Sequence, residues 1–340
     1  MTGTPPDAET LRRVALLPGW VGSVVVALPL LAGLSVPLLV QYVPLVASVV
    51  VLGLPHGAVD HLAVARTRGE RPDWRAIARV VALYGVVGGA YAALWALAPA
   101  LSFVLFIGVT WFHWGQGDLY ALLALADADY LRSWPQRLGT VVVRGGLPML
   151  VPLLAFPEWY RRVATDLVGI FAPGAVDALA VVFRPDVRLA VGLAYGLVLV
   201  GTLSVGYLRA DRPGPWRLDA AETVGLVTFF AVVPPVLAIG VYFCLWHSLR
   251  HVVRLILVDD DAAATLRARN PTGAFARFAR DALPLTVVSL GLLAGFAVLV
   301  PNPPETVPEW VGLYLVFIAV VTLPHVVVVS LMDVEQGIWA

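Results

Sequence analysis

The residues of this chain best suited to chemistry are its histidines, and every one lies in or at the edge of an apolar run. They are His56, His61, His113, His247, His251 and His325. Ionisable side chains are costly in hydrocarbon and usually mark a functional site. Neutral imidazoles are common metal ligands, and a single cysteine, Cys244, excludes an internal disulfide and a thiolate-rich site. The pattern indicates a metal held by nitrogen and oxygen.

One pair of histidines has a spacing suited to chelation. His247 and His251, in WHSLRH, are four residues apart and therefore lie one turn apart on one face of a helix. That spacing can hold one metal ion. Taken alone it fits ordinary packing equally well, but two neighbouring imidazoles in lipid need either hydrogen-bond partners or a metal.

The surroundings of two further histidines favour side chains that face inward. His113 lies in TWFHWGQG, where Gly115 and Gly117 permit close approach by another helix or by a ligand. Aromatic packing is the alternative for this histidine. His56 lies between a proline and a glycine, a combination that distorts a helix and can direct a side chain inward.

Three residues near these histidines are expected to support ligands. Asp60 lies four residues after His56 and can accept the proton on the other ring nitrogen of a ligating histidine. Pairing with an arginine is the alternative for Asp60. His61 is turned about 100° away from His56 on a helix, so we assign it to a supporting or interfacial position. His325, in LPHVVVV, is assigned to the core or to the same supporting role.

Several classes of protein are excluded by these patterns. Ser248, Leu249 and Arg250 separate the paired histidines, which excludes an HExxH metalloprotease. No carboxylate has the spacing of a facial triad, no histidines are paired as haem ligands, and one HxxxH box is too few for a desaturase-like di-iron centre. Four neutral imidazoles suit Fe(II), or less specifically copper or zinc. The absence of lysine excludes Schiff-base chemistry and a retinal-binding rhodopsin.

Transmembrane helices must position these side chains. The 340 residues are 59% hydrophobic and 14% charged, against roughly a quarter charged in soluble domains. We predict an all-α, polytopic transmembrane helical bundle of about 8–10 spans. A polar N-terminal segment, 1–13, precedes a single integral membrane catalytic domain, 14–335. The predicted helices cover 14–34, 37–65, 76–98, 100–124, 138–157, 187–207, 219–234, 235–258, 281–300 and 308–332. Residues 158–186 are predicted to form an interfacial amphipathic segment.

Charge placement predicts the orientation of the bundle. Short cytoplasmic loops are enriched in positive residues, and Arg12 and Arg13 therefore place the N-terminus in the cytoplasm. The arginine-containing loops fall on the same side, whereas the opposing turns near 35, 99, 234 and 301–308 contain no arginine. The exception is the interfacial segment, whose arginines this scheme places outside. We expect a multi-pass plasma-membrane protein. Its zero net charge does not indicate nucleic acid as a partner.

The predicted spans place four histidines at similar depth, because the helices that carry them run in the same direction. These are His56, His113, His247 and His325. Independent core histidines would not be expected to share a level across four helices. We therefore expect them to converge at one point of the bundle, around a metal.

Four motifs resemble the Brp/Blh family of membrane-bound β-carotene 15,15′-dioxygenases. They are GLPHGAVDH (53–61), FHWG around His113, WHSLRH (246–251) and LPH (323–325). The resemblance extends along nearly the whole chain, from about residue 20 to 335. It implies an enzyme that cleaves the central 15,15′ double bond of β-carotene with O₂, giving two molecules of retinal. A functional link to a retinal-binding rhodopsin is also implied.

The same resemblance implies a non-haem Fe(II) held by four histidines. Carried over by position, these are His56, His113, His247 and His251, while Asp60, His61 and His325 match surrounding motif positions. These four include the paired histidines that spacing singles out.

The implied substrate suits a site within lipid. β-Carotene is an apolar rod about as long as the bilayer hydrocarbon, about 30 Å, and can enter from lipid without desolvating polar groups. Aromatic residues near the histidines are candidate polyene contacts or, equally, bundle packing. They are Trp111, Trp114, Tyr242, Phe243 and Trp246. One other hypothesis is an enzyme of different lipid chemistry. Another is a transporter or binding protein, and a paucity of buried carboxylates makes this last class less attractive.

Overall fold

The structure, a computed structural model, describes residues 8–340, and its regular elements are all helices over that range. Eight helices of the described chain are long and apolar enough to cross a membrane. They are α1 (Glu9–Leu31), α2 (Leu38–Thr67), α3 (Trp74–Leu97), α5 (Trp134–Ala155), α8 (Pro185–Arg209), α10 (Pro235–Leu257), α12 (Pro271–Leu299) and α13 (Val307–Glu335). The prediction of an all-α polytopic bundle is confirmed.

The remaining helices complete the bundle. They are α4 (Pro99–Tyr120), α6 (Pro157–Gly169), the 3-10 helix α7 (Pro173–Phe183), α9 (Pro213–Val232) and α11 (Asp260–Arg267). Each of the ten predicted helices therefore has a counterpart. Two of these, α4 and α9, are less apolar than the eight because they bury polar side chains such as Gln116 and Glu222.

Prolines and loops divide the chain close to the predicted boundaries. Helix α9 ends at Val232 and α10 begins at Pro235, so the predicted division at the double proline is confirmed. Residues 158–186 form α6 and α7, neither of which is among the eight apolar spans. Helix α1 already includes residues 9–13 of the predicted polar segment, and residues 1–7 of that segment lie outside the described chain.

Helix α2 is interrupted immediately before the histidine that it carries. Its pieces are Leu38–Ser48, Gly53–Gly57 and Asp60–Thr67. Leu52 has φ of 63°, in the left-handed region that is uncommon for a leucine. A Cβ on Gly53 would collide with the Ser48 carbonyl oxygen, so the tight approach requires glycine. The sequence predicts a distortion at Pro55, whereas the break precedes it, because a proline fits the first turn of the next short helix.

Helix α10 is the most enclosed described span, with 89% of its most apolar stretch buried, against 11% for α8. Helices α4 and α5 pack closely against each other. A Cβ on Gly115 would collide with the Val141 carbonyl oxygen, and a Cβ on Gly145 with the Trp111 carbonyl oxygen. The predicted close helix approach at Gly115 is confirmed. These contacts hold α4 against α5, with its histidine facing α10.

Candidate metal centre

Four helices bring five of the six histidines together at the centre of the bundle. Their positions are His56 on α2, His113 on α4, His247 and His251 on α10, and His325 on α13. The ring of His56 lies 4.9–6.5 Å, centroid to centroid, from the other four rings. All five side chains are buried. The convergence expected from their shared depth is confirmed.

The backbone around each histidine explains its inward direction. His247 lies in a π-helical turn of α10, Phe243–Ser248, and His251 follows in the α-helical piece Leu249–Leu257. Such π turns are frequent at functional sites because they alter the direction of side chains. His113 faces α10 because a glycine, Gly117, allows close packing: a Cβ at this position would lie only 3.3 Å from the His247 ring.

A hydrogen bond assigns the ring nitrogens of His56, and a short contact joins two of the other histidines. The Nδ1 of His56 contacts the Gly53 carbonyl oxygen, which can only accept a hydrogen bond. The Nε2 of a neutral His56 therefore keeps its lone pair. The Nε2 atoms of His113 and His247 are 3.0 Å apart. Two nitrogens that share one metal through bonds of about 2.1 Å lie about 3.0–3.4 Å apart, so this separation also fits a pair of ligands.

Asp60 connects α2 to α13. Its Oδ2 accepts hydrogen bonds from His325 Nδ1 at 2.7 Å and from the Tyr84 hydroxyl at 2.6 Å. The carboxylate is 2% exposed. Of the two alternatives that the sequence leaves open for Asp60, the structure shows the histidine partner. That partner lies on another helix, 265 residues further along the chain.

The buried donors form groups that can hold a metal ion. Donor atoms of His56, His113 and His325 lie within 4.8 Å of one another, as do those of Asp60, His251 and His325. Three buried histidine nitrogens have no hydrogen-bond partner in the described chain: His113 Nδ1, His251 Nε2 and His325 Nε2. Burial of such atoms is costly unless something binds them. A nitrogen-rich donor set with unpartnered ring nitrogens fits a divalent transition metal.

The sixth histidine lies apart from this group. His61 is half-buried, and its Nδ1 is 3.1 Å from the Ala58 carbonyl oxygen on its own helix. Its side chain faces the apolar cavity beside the cluster. His61 can therefore serve as a control for metal binding by the five clustered histidines.

An apolar cavity of about 750 Å³ adjoins the cluster. His56, His113 and His325 contribute to its wall. Its inner part lies among the buried side chains of α4, α5 and α10, including Phe103, Met149 and Phe243. Tyr160, outside the spans, lies on the same wall, and burial raises the pKa of its phenol, which keeps this side chain uncharged.

Two of the five aromatic residues singled out from the sequence face this cavity, Trp114 and Phe243. The other three lie elsewhere. Trp111 donates Nε1–H to the Val142 carbonyl and packs on α5 and α8, and Tyr242 packs against Trp246. Helical spacing explains the division, because residues 242 and 246 share one face of α10, whereas residues 243 and 247 share another.

A buried ionic network lies behind the histidines and was not predicted from the sequence. Its five members, each at most 4% exposed, are Asp118, Arg144, Asp219, Glu222 and Arg250. Arg250 pairs with Asp118 at 3.1 Å and with Glu222 at 2.6 Å. Trp246 donates Nε1–H to Asp118 at 3.0 Å, and the Arg250 guanidinium lies 4.0 Å from the Trp246 ring.

The expected paucity of buried carboxylates is therefore wrong. Six carboxylates are buried in the described chain: Asp60, Asp118, Asp219, Glu222, Asp259 and Asp333. Each contacts a basic side chain, and Asp333, for example, pairs with Arg254 at 2.7 Å. One signal was available, since Asp219 and Glu222 are three residues apart in the predicted span 219–234.

The chain is similar in sequence to proteins described as β-carotene 15,15′-dioxygenases. A family model described as Beta-carotene 15,15'-dioxygenase matches residues 47–333. The chain is 51% identical over 330 residues to the probable beta-carotene 15,15'-dioxygenase Blh of Halobacterium salinarum strain NRC-1, covering 97% of this chain and 95% of that relative. It is 36% identical to the probable beta-carotene 15,15'-dioxygenase Brp of strain R1, covering 91% and 88%. A beta-carotene 15,15'-dioxygenase of uncultured marine bacterium 66A03 is 26% identical, covering 60% and 66%. No solved structure matches.

Proposed function

The chain belongs to the β-carotene 15,15′-dioxygenase family, and from this membership we propose that it cleaves the central 15,15′ double bond of β-carotene with O₂ to give two molecules of all-trans-retinal. The observation that carries the proposal is the buried histidine cluster beside an apolar cavity inside a membrane-spanning bundle. A reactive centre that opens onto an apolar cavity suits a hydrocarbon substrate better than a polar one.

We propose that the metal is non-haem Fe(II) and that His56, His113, His247 and His251 hold it. Bound Fe(II) would supply the redox chemistry for the reaction with O₂, because a hydrocarbon substrate has no redox centre of its own. Neutral imidazoles preserve the positive charge of the metal. Burial of all four rings excludes bulk water from the reacting double bond.

The cavity positions the substrate by shape, because a polyene offers no polar group to bind. Trp114 and Phe243 lie on the wall beside His247, at 5.6 and 6.2 Å between ring centroids. Flat aromatic side chains pack against a conjugated chain over a large contact area. We propose that these two residues hold the central part of the polyene next to the histidines. Orientation of this kind selects the bond that is cleaved.

The substrate enters from the bilayer through an opening between α3 and α12. The cavity wall includes exposed residues of both helices, among them Val81 on α3 and Leu292 on α12. Glycines border the opening on both sides, and a Cβ at Gly89 or Gly295 would meet nothing within 4 Å. Helix α13 forms the floor and carries His325 at the inner end. An apolar rod can therefore slide from lipid to the cluster.

The double variant Gly89→Leu/Gly295→Leu is expected to slow β-carotene cleavage about tenfold or more by filling the opening. Metal content should not change, because neither glycine contacts a histidine. Leucine is also a better helix former than glycine, so the helices should remain stable. Retinal production by purified protein in nanodiscs measures the effect. Gly201→Leu is the matched control, since that glycine is exposed on α8 with equally open space. Equal rates in both variants would contradict access through this opening.

The same helices and the arginine placement support a proposal for the location of the protein. We propose a plasma-membrane protein with a cytoplasmic N-terminus. The arginine-containing ends of the bundle support this orientation. The protein would release retinal into lipid, and a retinal-binding rhodopsin that takes up this retinal is the proposed downstream partner.

Coexpression in a β-carotene-producing bacterium tests the function. Cells that express the chain should lose their yellow colour and accumulate retinal, measured by chromatography of pigment extracts. Cells that express Phe112→Ala should behave in the same way, because this side chain is exposed and does not line the cavity. Unchanged pigment beside folded, iron-loaded protein would count against the enzyme and favour a binding or transport role.

A further inference from the structure

We propose that His325 is an additional ligand of the same metal, oriented by Asp60 and Tyr84. This inference rests on the proposed metal centre, and it adds a fifth nitrogen donor to the four histidines named above. The carboxylate, the phenol and the imidazole come from α2, α3 and α13, so the arrangement exists only in the folded bundle.

The first observation is that the His325 ring lies close to three of the four proposed ligands. Its ring centroid is 4.9 Å from that of His56, 4.8 Å from His113 and 5.1 Å from His251. Four pairs among the four proposed ligands are farther apart, with ring centroids separated by 5.5–6.5 Å. His325 also belongs to both groups of donors that lie within 4.8 Å of one another. A metal bound to the other four would therefore lie near His325.

The second observation concerns the protons of the ring. A carboxylate only accepts hydrogen bonds, so His325 donates Nδ1–H to Asp60 Oδ2 at 2.7 Å. The Nε2 atom then carries the lone pair. This nitrogen is buried and has no hydrogen-bond partner in the described chain. A carboxylate that binds one ring nitrogen while the other meets a metal is the usual arrangement around ligating histidines.

Tyr84 completes the support of the carboxylate. Its hydroxyl donates to the same Oδ2 of Asp60 at 2.6 Å. The phenol lies in the π-helical turn Tyr84–Gly88, which packs against α13. Asp60 and Tyr84 thus act as positioning residues that hold the His325 ring in one orientation. Gly57 leaves room for the ring, since even a Cβ at this position would lie 3.6 Å from His325 Nδ1.

The experiment measures metal binding directly, without turnover. Metal-free wild-type protein and the variants His325→Gly, Asp60→Asn and His61→Ala are titrated with Co(II), and the visible spectrum reports both affinity and ligand field. His325→Gly should weaken Co(II) binding about 100-fold or more, and Asp60→Asn should weaken it about 10–100-fold, the range measured for such outer partners. His61→Ala should bind like the wild type.

Free imidazole separates ligation from folding. Added to His325→Gly, it should occupy the space left by the ring and restore both the affinity and the wild-type Co(II) spectrum. A structural role for His325 would not be restored in this way. If His325→Gly misfolds, the pulsed EPR spectrum of the Cu(II)-loaded wild type gives a second test, because it counts coordinated imidazoles. Five would support the proposal and four would overturn it.

The outcomes distinguish this inference from the function on which it rests. Wild-type affinity and an unchanged spectrum in His325→Gly would overturn the role of His325 and leave the four-histidine centre in place. Failure of the wild type to bind any metal would instead contradict the proposed metal centre itself.

Discussion

His113→Ala is expected to lower the rate of β-carotene cleavage about a thousandfold or more, because a bound metal contributes several kcal/mol and each 1.36 kcal/mol is a factor of ten. His113 is the histidine that α4 brings to the cluster, and its Nε2 lies 3.0 Å from that of His247. The side chain is 2% exposed, so water cannot easily take its place as a ligand. Iron content by mass spectrometry should fall together with retinal formation.

The neighbouring residue provides the control for this prediction. Phe112 lies on the same helix and is 37% exposed, facing away from the cluster. Phe112→Ala should therefore keep both its iron and its activity. Iron-loaded, active His113→Ala would show that His113 is no ligand. Loss of iron from both variants would show that α4 itself had been disturbed, which thermal unfolding in detergent would reveal.

The convergence of the histidines could be predicted because it depends on two properties of a membrane protein. Helices that cross a bilayer have nearly fixed lengths, so the position of a residue along its span gives its depth. Histidines at equal depth in four spans therefore lie at one level of the bundle. The rotation of α10 follows from the pair His247 and His251, four residues apart, which requires one face of that helix to be inward.

The partner of Asp60 could not be predicted in the same way. Asp60 and His325 are 265 residues apart, and their bond depends on how α2 packs against α13. Depth places His325 at the level of the cluster but does not show whether its ring faces the centre. The interruption of α2 is a further reason, because a turn at Leu52 with φ of 63° rotates Asp60 relative to an unbroken helix.

The aromatic residues show that residues close together in the sequence can lie on different faces of a helix. Five aromatic positions near the histidines form one group in the sequence, although their faces differ by about 100° per residue along a helix. Phe243 lines the cavity and its ring stacks on that of His247, four residues further along α10. Tyr242 and Trp246 share the face that meets the ionic network, where Trp246 binds Asp118. Helical spacing alone would have separated the two pairs.

Arg144→Ala is expected to cause the largest loss of stability in the described chain. Arg144 is 1% exposed and pairs with Asp118 at 3.2 Å, with Asp219 at 3.7 Å and closely with Glu222. Its removal leaves Asp118 and Glu222 with Arg250 as their remaining arginine partner, while Asp219 keeps only hydrogen bonds from hydroxyl groups such as that of Tyr130. Breaking a buried pair costs about 3–5 kcal/mol, because a charge stays buried without its partner. Thermal unfolding of the purified protein in detergent measures the loss.

An exposed arginine and a second substitution show whether unpaired charge is the cause. Arg212 pairs with Asp127 at 2.7 Å and with Asp129 at 3.0 Å, but its side chain is 56% exposed. Arg212→Ala should therefore change the stability by no more than about 1 kcal/mol. Adding Glu222→Gln to Arg144→Ala removes one of the excess negative charges and should recover part of the loss. If the double variant is less stable than Arg144→Ala alone, the network stabilises the bundle through its hydrogen bonds and packing, and charge balance is not the dominant effect.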